Sequence, residues 1–143
     1  MECLIYKKLG GVDNSLFLIE DSFSRKIVDK YGTNPNIIGY HAIVEDIVVG
    51  YLLVLNNYLA GFFVKKEFRN NGLGTELLKR ALEDLNHYDF IYGYIHKPAV
   101  NIFKKQQFQI LYQVNASHWI LYKGNIDDES FIYIKSRWPE MNS

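Results

Sequence analysis

The residues most able to do chemistry in this chain stand together as Arg69-Asn70-Asn71-Gly72-Leu73-Gly74-Thr75. A cation, two amides, two glycines and a hydroxyl crowd into one short loop, and the flanking sequence says what such a loop is for. Before it, Tyr58 to Val64 is an apolar, aromatic and β-branched run, which predicts a buried strand. After it, Leu73, Leu77, Leu78, Ala81, Leu82 and Leu85 recur at helical spacing, with Glu76, Lys79, Arg80 and Glu83 on the other side. A strand, a glycine turn and a helix start aim unpaired N–H groups and the positive end of the helix dipole at one spot. Glycine lets a phosphate come close there, because no Cβ stands in the way. The loop lacks the Gly-Lys-Ser/Thr of a nucleotide P-loop and the Gly-x-Gly-x-x-Gly of a dinucleotide site. A plain helix cap is the simpler account of the same residues.

With Val64 five residues before Arg69, the spacing Arg-x-x-Gly-x-Gly resembles the acetyl-coenzyme-A signature of the GNAT superfamily of N-acetyltransferases, Val-x-Pro-x-x-(Arg/Gln)-x-x-Gly-x-(Gly/Ala). Lys66 stands where proline is common. A second stretch, His96 to Phe108, resembles the superfamily's Asn-x-x-Ala-x-x-x-Tyr-x-x-x-Gly-Phe: Ala99 and Phe108 match, while His96, Phe103 and Gln107 replace Asn, Tyr and Gly. The resemblance spans about residues 1–124, which we expect to form a single domain, with 125–143 as a C-terminal extension.

That resemblance implies an N-acetyltransferase moving an acetyl group from acetyl-CoA to a primary amine of a small molecule or protein, by direct attack in a ternary complex. The N–H groups of Asn71, Gly72, Leu73, Gly74 and Thr75 would hold the pyrophosphate, with Asn70 beside them. Arg69 would add a charge or brace the loop, and Thr75 a hydroxyl bond. Phe62, Phe63 and Val64 would pair their backbone with the pantetheine arm, one N–H polarising the acetyl oxygen. Asn101 and Phe103 complete the implied coenzyme contacts, and no metal is implied.

The chain departs from the family where the tyrosine that commonly protonates the leaving thiolate becomes Phe103. A lost general acid costs about 10²–10⁴ in rate, yet a thiol of pKa about 8.5 leaves tolerably unaided. Replacement acids are Tyr94 or Tyr92 on the adjacent strand, or His96; Tyr94 and His96 are the catalytic candidates. No glutamate of the family kind stands on the central strand, where Asn57, Tyr58 and Leu59 lie, so a base would be a water relayed by His96, His118 or a tyrosine hydroxyl. His118, beside Trp119, and His41 read more simply as core or surface residues. Cys3 opens the first strand and suits no covalent route. Phe103 also keeps open a different class, a non-catalytic acyl-CoA-binding or sensing module.

Composition bounds these readings. At 143 residues, 48% hydrophobic and 22% charged, the chain supplies one core. Sixteen basic and sixteen acidic side chains cancel, which argues against a dedicated nucleic-acid or membrane-surface binder. No apolar run is long enough to cross a bilayer, no signal peptide is evident, and a single cysteine allows no internal disulfide, so we expect a cytoplasmic protein.

Taken in order, Glu2–Leu9 predicts a strand. Asp13 or Asn14 then caps a helix with Leu16, Ile19, Phe23, Ile27, Val28 and Tyr31 on one face. Ile37–Val44 and Ile47–Leu55 form a hairpin about Glu45-Asp46. Phe90–Ile95 is a strand parallel to the central one, Ala99–Gln107 a short helix begun by Pro98, and Gln109–Val114 with Ser117–Tyr122 a last hairpin about Asn115-Ala116. This order predicts an α+β, α/β/α layered fold: a mixed sheet of six to seven strands, antiparallel at the start, with a parallel central pair that the resemblance expects to splay, and about four helices. The tail reads either as a helix capped by Asp127 or Asp128 or as an added strand, packed on its own domain or at a homodimer contact.

Overall fold

The computed structural model describes residues 3–12 and 22–138, with the side chains of residues 22–24 outside the description. Its strands are β1 (Leu4–Leu9), β2 (Ile37–Val44), β3 (Ile47–Leu55), β4 (Tyr58–Val64), β5 (Phe90–His96), β6 (Gln109–Asn115) and β7 (His118–Gly124). Its helices are α1 (Ser22–Tyr31), α2 (Leu73–Asp84), α3 (Val100–Lys105) and α4 (Asp128–Arg137). The seven strands form one sheet in the order β1-β2-β3-β4-β5-β7-β6. Every neighbouring pair is antiparallel except β4–β5. This is the layered mixed sheet expected, with seven strands and four helices among the described residues.

Helices cover both faces. Leu77, Leu78 and Ala81 of α2 and Phe103 of α3 pack with Leu52, Leu59, Phe62 and Leu121 on one face. Ile27, Val28 and Tyr31 of α1 and Ile134 of α4 pack with Tyr51, Leu53, Tyr58 and Tyr92 on the other. That double covering is why β3 and β4 are apolar along their whole lengths rather than alternating. The far end of α2 is pinned by a polar clamp. The Tyr40 hydroxyl donates to Asp84 Oδ2 at 2.5 Å, and Lys7 Nζ pairs with the same oxygen at 3.0 Å. The hydroxyl first, then Lys7, hold the Asp84 carboxyl below its usual range, while burial pushes the Tyr40 phenol up.

The first hairpin has the expected bounds, and its turn explains itself. Glu45 and Asp46 both sit in the left-handed region, at φ 51° and 64°, as a two-residue turn with matching twist requires. Elsewhere the boundaries move for local reasons. Asn115 stays in β6 because its Oδ1 accepts from the Ser117 N–H at 2.9 Å, which shifts the last turn one residue on. The short helix begins as a single 3-10 turn at Lys97–Ala99 and ends at Lys105, two residues early, because Gln107 turns left-handed at φ 67°. Glycine relieves that strain at the cost of some chain entropy. We therefore expect Gln107→Gly to stabilise the fold by about 0.5–1 kcal/mol, read as a rise of a few degrees in the unfolding midpoint. A fall would mean that the Gln107 side chain, which donates to Lys105 O at 3.2 Å, outweighs the strain.

The tail is a helix, not a strand. Asp127 accepts from Ser130 N–H at 2.7 Å, acids fill the first turn of α4 and Lys135 and Arg137 the last. Ile134 is fully buried, whereas Ile132 and Tyr133 stay exposed. Of the expected first helix, Ile27, Val28 and Tyr31 are buried as its apolar face. The cap at Asp13 or Asn14, Leu16, Ile19 and the Phe23 side chain lie outside the described residues. Among the described residues no helix is long and apolar enough to cross a membrane.

Candidate functional site

The parallel pair that joins the two halves of the sheet is barely a pair. Only Tyr58 with Tyr92 and Leu59 with Gly93 are in register, although each strand has seven residues. At the last rung the backbones come so close that a Cβ on Gly93 would lie 3.0 Å from Leu59 Cβ. Immediately beyond, Ala60 is an extra residue on β4: Val54 faces Leu59, while Leu53 faces Gly61. Such a bulge bends and twists its strand. From Gly61 onward β4 follows β3, β5 follows β7, and the two diverge.

The gap is a cleft of about 370 Å³ lined by Phe62, Phe63, Arg69, Tyr94, His96 and His118. A recess of about 40 Å³ continues it past Val64, Pro98 and Ile102, sharing Phe62, Arg69 and His96. Beside this recess lies the Arg69–Thr75 loop. After a 3-10 turn at Lys66–Phe68, Asn70 and Gly72 adopt φ 65° and 79°, and Gly72 is the N-cap of α2. No side chain caps the helix, so the N–H groups of its first turn keep no side-chain acceptor. The two glycines are needed for different reasons. A Cβ on Gly72 would meet nothing within 4 Å, so this residue supplies the left-handed turn and leaves the front open. A Cβ on Gly74 would come within 2.9 Å of Phe62 Cζ and 3.1 Å of Ile102 Cδ1, so Gly74 lets α2 settle onto β4 and α3. Arg69 ties the loop back to β4: Nε donates to Val64 O at 2.8 Å, and the guanidinium lies 5.6 Å from the Phe63 ring at the cleft wall. An open helix N-terminus, a fixed cation and an adjoining strand edge fit a phosphate-bearing ligand with an extended arm.

Titratable groups gather at the other end. The pairing of β5 with β7 sets His118 directly across from His96, ring centroids 6.5 Å apart. Tyr94 stacks on His118 at 4.5 Å and 10°, and its hydroxyl accepts from Asn115 Nδ2 at 3.3 Å. His118 Nδ1 lies 2.9 Å from Ser117 Oγ and 3.2 Å from Asn115 Oδ1. An amide oxygen only accepts, and Ser117 Oγ itself donates to Asn115 Oδ1 at 3.1 Å, so this network assigns the proton to His118 Nδ1 and leaves Nε2 as the acceptor. Burial lowers the His118 pKa below its ordinary value and so favours the neutral ring. A neutral imidazole in a cleft can take a proton from an ammonium group.

The cleft thus brings together Phe62, Phe63, Arg69, Tyr94 and His96, with Val64 in the recess. Asn70, Asn71, Gly72, Leu73, Gly74 and Thr75 form the neighbouring loop and first helical turn, with Asn70, Asn71 and Gly72 exposed. Two of the sequence candidates belong neither to the cavities nor to this loop and first turn. Asn101 is exposed on α3, and Phe103 is fully buried, edge-on to Phe62 and Phe108 at 5.2 Å each. A hydroxyl at that para position enters an aromatic cluster, so we expect Phe103→Tyr to cost about 1–3 kcal/mol in urea unfolding. An unchanged stability would place the ring edge on the recess. Tyr92 is buried on the opposite face and accepts from Arg137 Nη1 at 3.0 Å. Cys3 lies beside β1 at the sheet's far edge, and His41 is buried against Tyr6. Among the described residues no three His, Cys, Asp or Glu side chains converge as metal ligands.

The sequence offered His118 only as a relay for a water or as a packing residue, and Trp138 only as part of the tail's apolar face; the fold sets both against Tyr94, with Trp138 stacked from another side at 5.9 Å and 13°. The alternation of the last hairpin carried the only signal, since it fixes which residues of β7 share a face.

The geometry has known counterparts. The model of the acetyltransferase (GNAT) family matches residues 13–108. A PaiA N-acetyltransferase from Thermoplasma acidophilum, solved in complex with coenzyme A, superposes with a TM-score of 0.61 at 16% identity, over 87% of this chain and 100% of its own. A GNAT family acetyltransferase from Elizabethkingia anophelis with acetyl-CoA bound gives 0.65 at 16% identity, over 86% and 98%. An acyl-CoA N-acyltransferase from Pseudomonas aeruginosa gives 0.67 at 14% identity, over 86% and 100%. At such identities the structural likeness is one of fold. A search of curated proteins finds no match. The family model spans about two thirds of the sequence, and the chain belongs to the acetyltransferase (GNAT) family.

Proposed function

We propose that the protein is an N-acetyltransferase that takes its acetyl group from acetyl-CoA and passes it to a primary amine by direct attack. One observation carries the reading: the splayed β4–β5 gap and its recess both reach Arg69, which opens the loop leading to the uncapped start of α2. On this reading the first-turn N–H groups of α2 and Arg69 bind the pyrophosphate, and Thr75 adds a hydroxyl. The coenzyme brings an acetyl thioester, and its arm lies along Phe62–Val64, where the β4 backbone has no partner on the β5 side. A backbone N–H there polarises the acetyl oxygen.

The amine must lose a proton to become nucleophilic. His118 Nε2 accepts it, directly or through one water, with Nδ1 held by Asn115 and Ser117. The departing sulfur recovers a proton from solvent or from the Tyr94 hydroxyl, because Phe103 has none to give. His96 lines the gap opposite His118 and orients the arm. A cytoplasmic location, where acetyl-CoA is at hand, accords with this chemistry. Thiol release with a panel of primary amines tests the reading. Acceptor-dependent release that saturates in acetyl-CoA is expected. Tight coenzyme binding with no release for any amine would favour the non-catalytic acyl-CoA-binding module, the alternative that the buried Phe103 supports.

A further inference from the structure

A second cavity of about 350 Å³ lies on the α1 and α4 face, walled by Lys26, Lys30, Tyr58, Tyr94, Arg137 and Trp138. Its size suits a small molecule. Tyr94 belongs to both cavities, so this one adjoins the cleft at that ring. Three cations line it and, among the described residues, no carboxylate does, in a chain whose basic and acidic side chains balance overall, sixteen against sixteen. Arg137 is held without an acid. Nη1 donates to the Tyr92 hydroxyl at 3.0 Å, and the guanidinium lies 5.0 Å from the Tyr58 ring and 4.8 Å from the Trp138 ring. Among the described residues neither it nor Lys26 nor Lys30 forms an ion pair. Aromatic faces and a neutral phenol fix a guanidinium's plane while leaving its other N–H groups for a bidentate anion.

We infer that this cavity receives the acceptor by an anionic group: the amine acylated also carries a carboxylate or a phosphate. The inference rests on the acetyltransfer reading for what happens to the amine, but not for what the cavity binds. The anion meets Arg137 with Lys26 and Lys30, a flat or aliphatic body lies against the contacting Tyr58 and Trp138 rings, and the amine points past Tyr94 toward His118.

The test uses matched pairs without coenzyme: phenylalanine against phenylalaninamide, and O-phosphoethanolamine against ethanolamine. Binding is followed at the Trp138 indole resonance, assigned by Trp119→Phe. The carboxylate or the phosphate member should bind about tenfold tighter than the partner that lacks the anion. That preference should shrink to near equality in Arg137→Gln and weaken in Lys30→Gln, an exposed side chain whose loss should not unfold the protein. Whichever pair shows the effect names the anion. Equal binding within both pairs, an unmoved Trp138 signal, or a preference that survives in both variants would overturn the inference. Coenzyme binding is read separately, so failure there leaves this result standing, and the reverse.

Discussion

Replacing His118 by alanine should lower kcat/KM by about 10²–10⁴ while leaving acetyl-CoA affinity unchanged, because the imidazole is positioned to receive the amine's proton. The pH profile carries the diagnosis. Burial depresses the His118 pKa below its ordinary value, and in the proposed mechanism the neutral ring is the active form. Activity of the native enzyme should therefore rise from acid pH through a midpoint below 6.5 and then level off, for an amine that is itself unprotonated there. The variant should lose that limb. Stability has the same sign: unfolded His118 takes its proton at higher pH than the folded ring, so its contribution is present above about 6.5 and is lost as pH falls through the folded value. A loss under about tenfold, or an acid limb that persists in the variant, would move the proton to water and leave His118 a packing residue for Tyr94.

Acetyl-CoA at a hundred times its dissociation constant should add about 2.7 kcal/mol to stability and raise the unfolding midpoint by several degrees. Gly72→Trp should abolish the shift. The substitution puts a large side chain into the open front of the α2 N-terminus, at a position with φ 79° where an L-residue is strained. Its own unfolding midpoint should fall by a few degrees for that second reason, so each protein is compared with itself with and without the coenzyme. A shift that survives in Gly72→Trp would detach the ligand from the Arg69–Thr75 loop. No shift in the native protein would remove the coenzyme from the proposal altogether.

Much of the fold was legible because local chemistry and tertiary context agree. Ile37–Val44 and Ile47–Leu55 are β-branched runs separated by two residues that tolerate left-handed backbone, and their bounds follow directly. The Asp127 cap and the spacing of Phe131, Ile134 and Trp138 carried the last helix, although Tyr133 and Lys135 allowed an alternating reading until Ile134 was seen buried. The Arg69–Thr75 loop was legible as a motif, but not the reason for each glycine. Gly74 answers to Phe62 and Ile102, which only the packing of α2 on the sheet brings near. His118 was hidden for a similar reason. It meets His96 through a pairing of β5 with β7 that skips β6, and no local pattern announces a strand order of β5-β7-β6. Phe103 was noticed as a missing hydroxyl, whereas its burial against Phe62 and Phe108 depends on two other elements.

The brief β4–β5 pairing has a further consequence. An open sheet ordinarily has two outer edges, here β1 and β6. By parting after Leu59 and Gly93, the central strands create a third, interior edge, in which half the backbone groups of Gly61–Val64 face away from β3 toward no strand. Unpaired ladders of this kind invite intruding chains, and proteins usually blunt them with charge, proline or brevity. This one is apolar on its flanks and opens to the surface. An extended ligand arm lying in the gap completes the ladder, so the ligand that equips the protein for its chemistry would also guard it against aggregation, and the empty form would be the hazardous one.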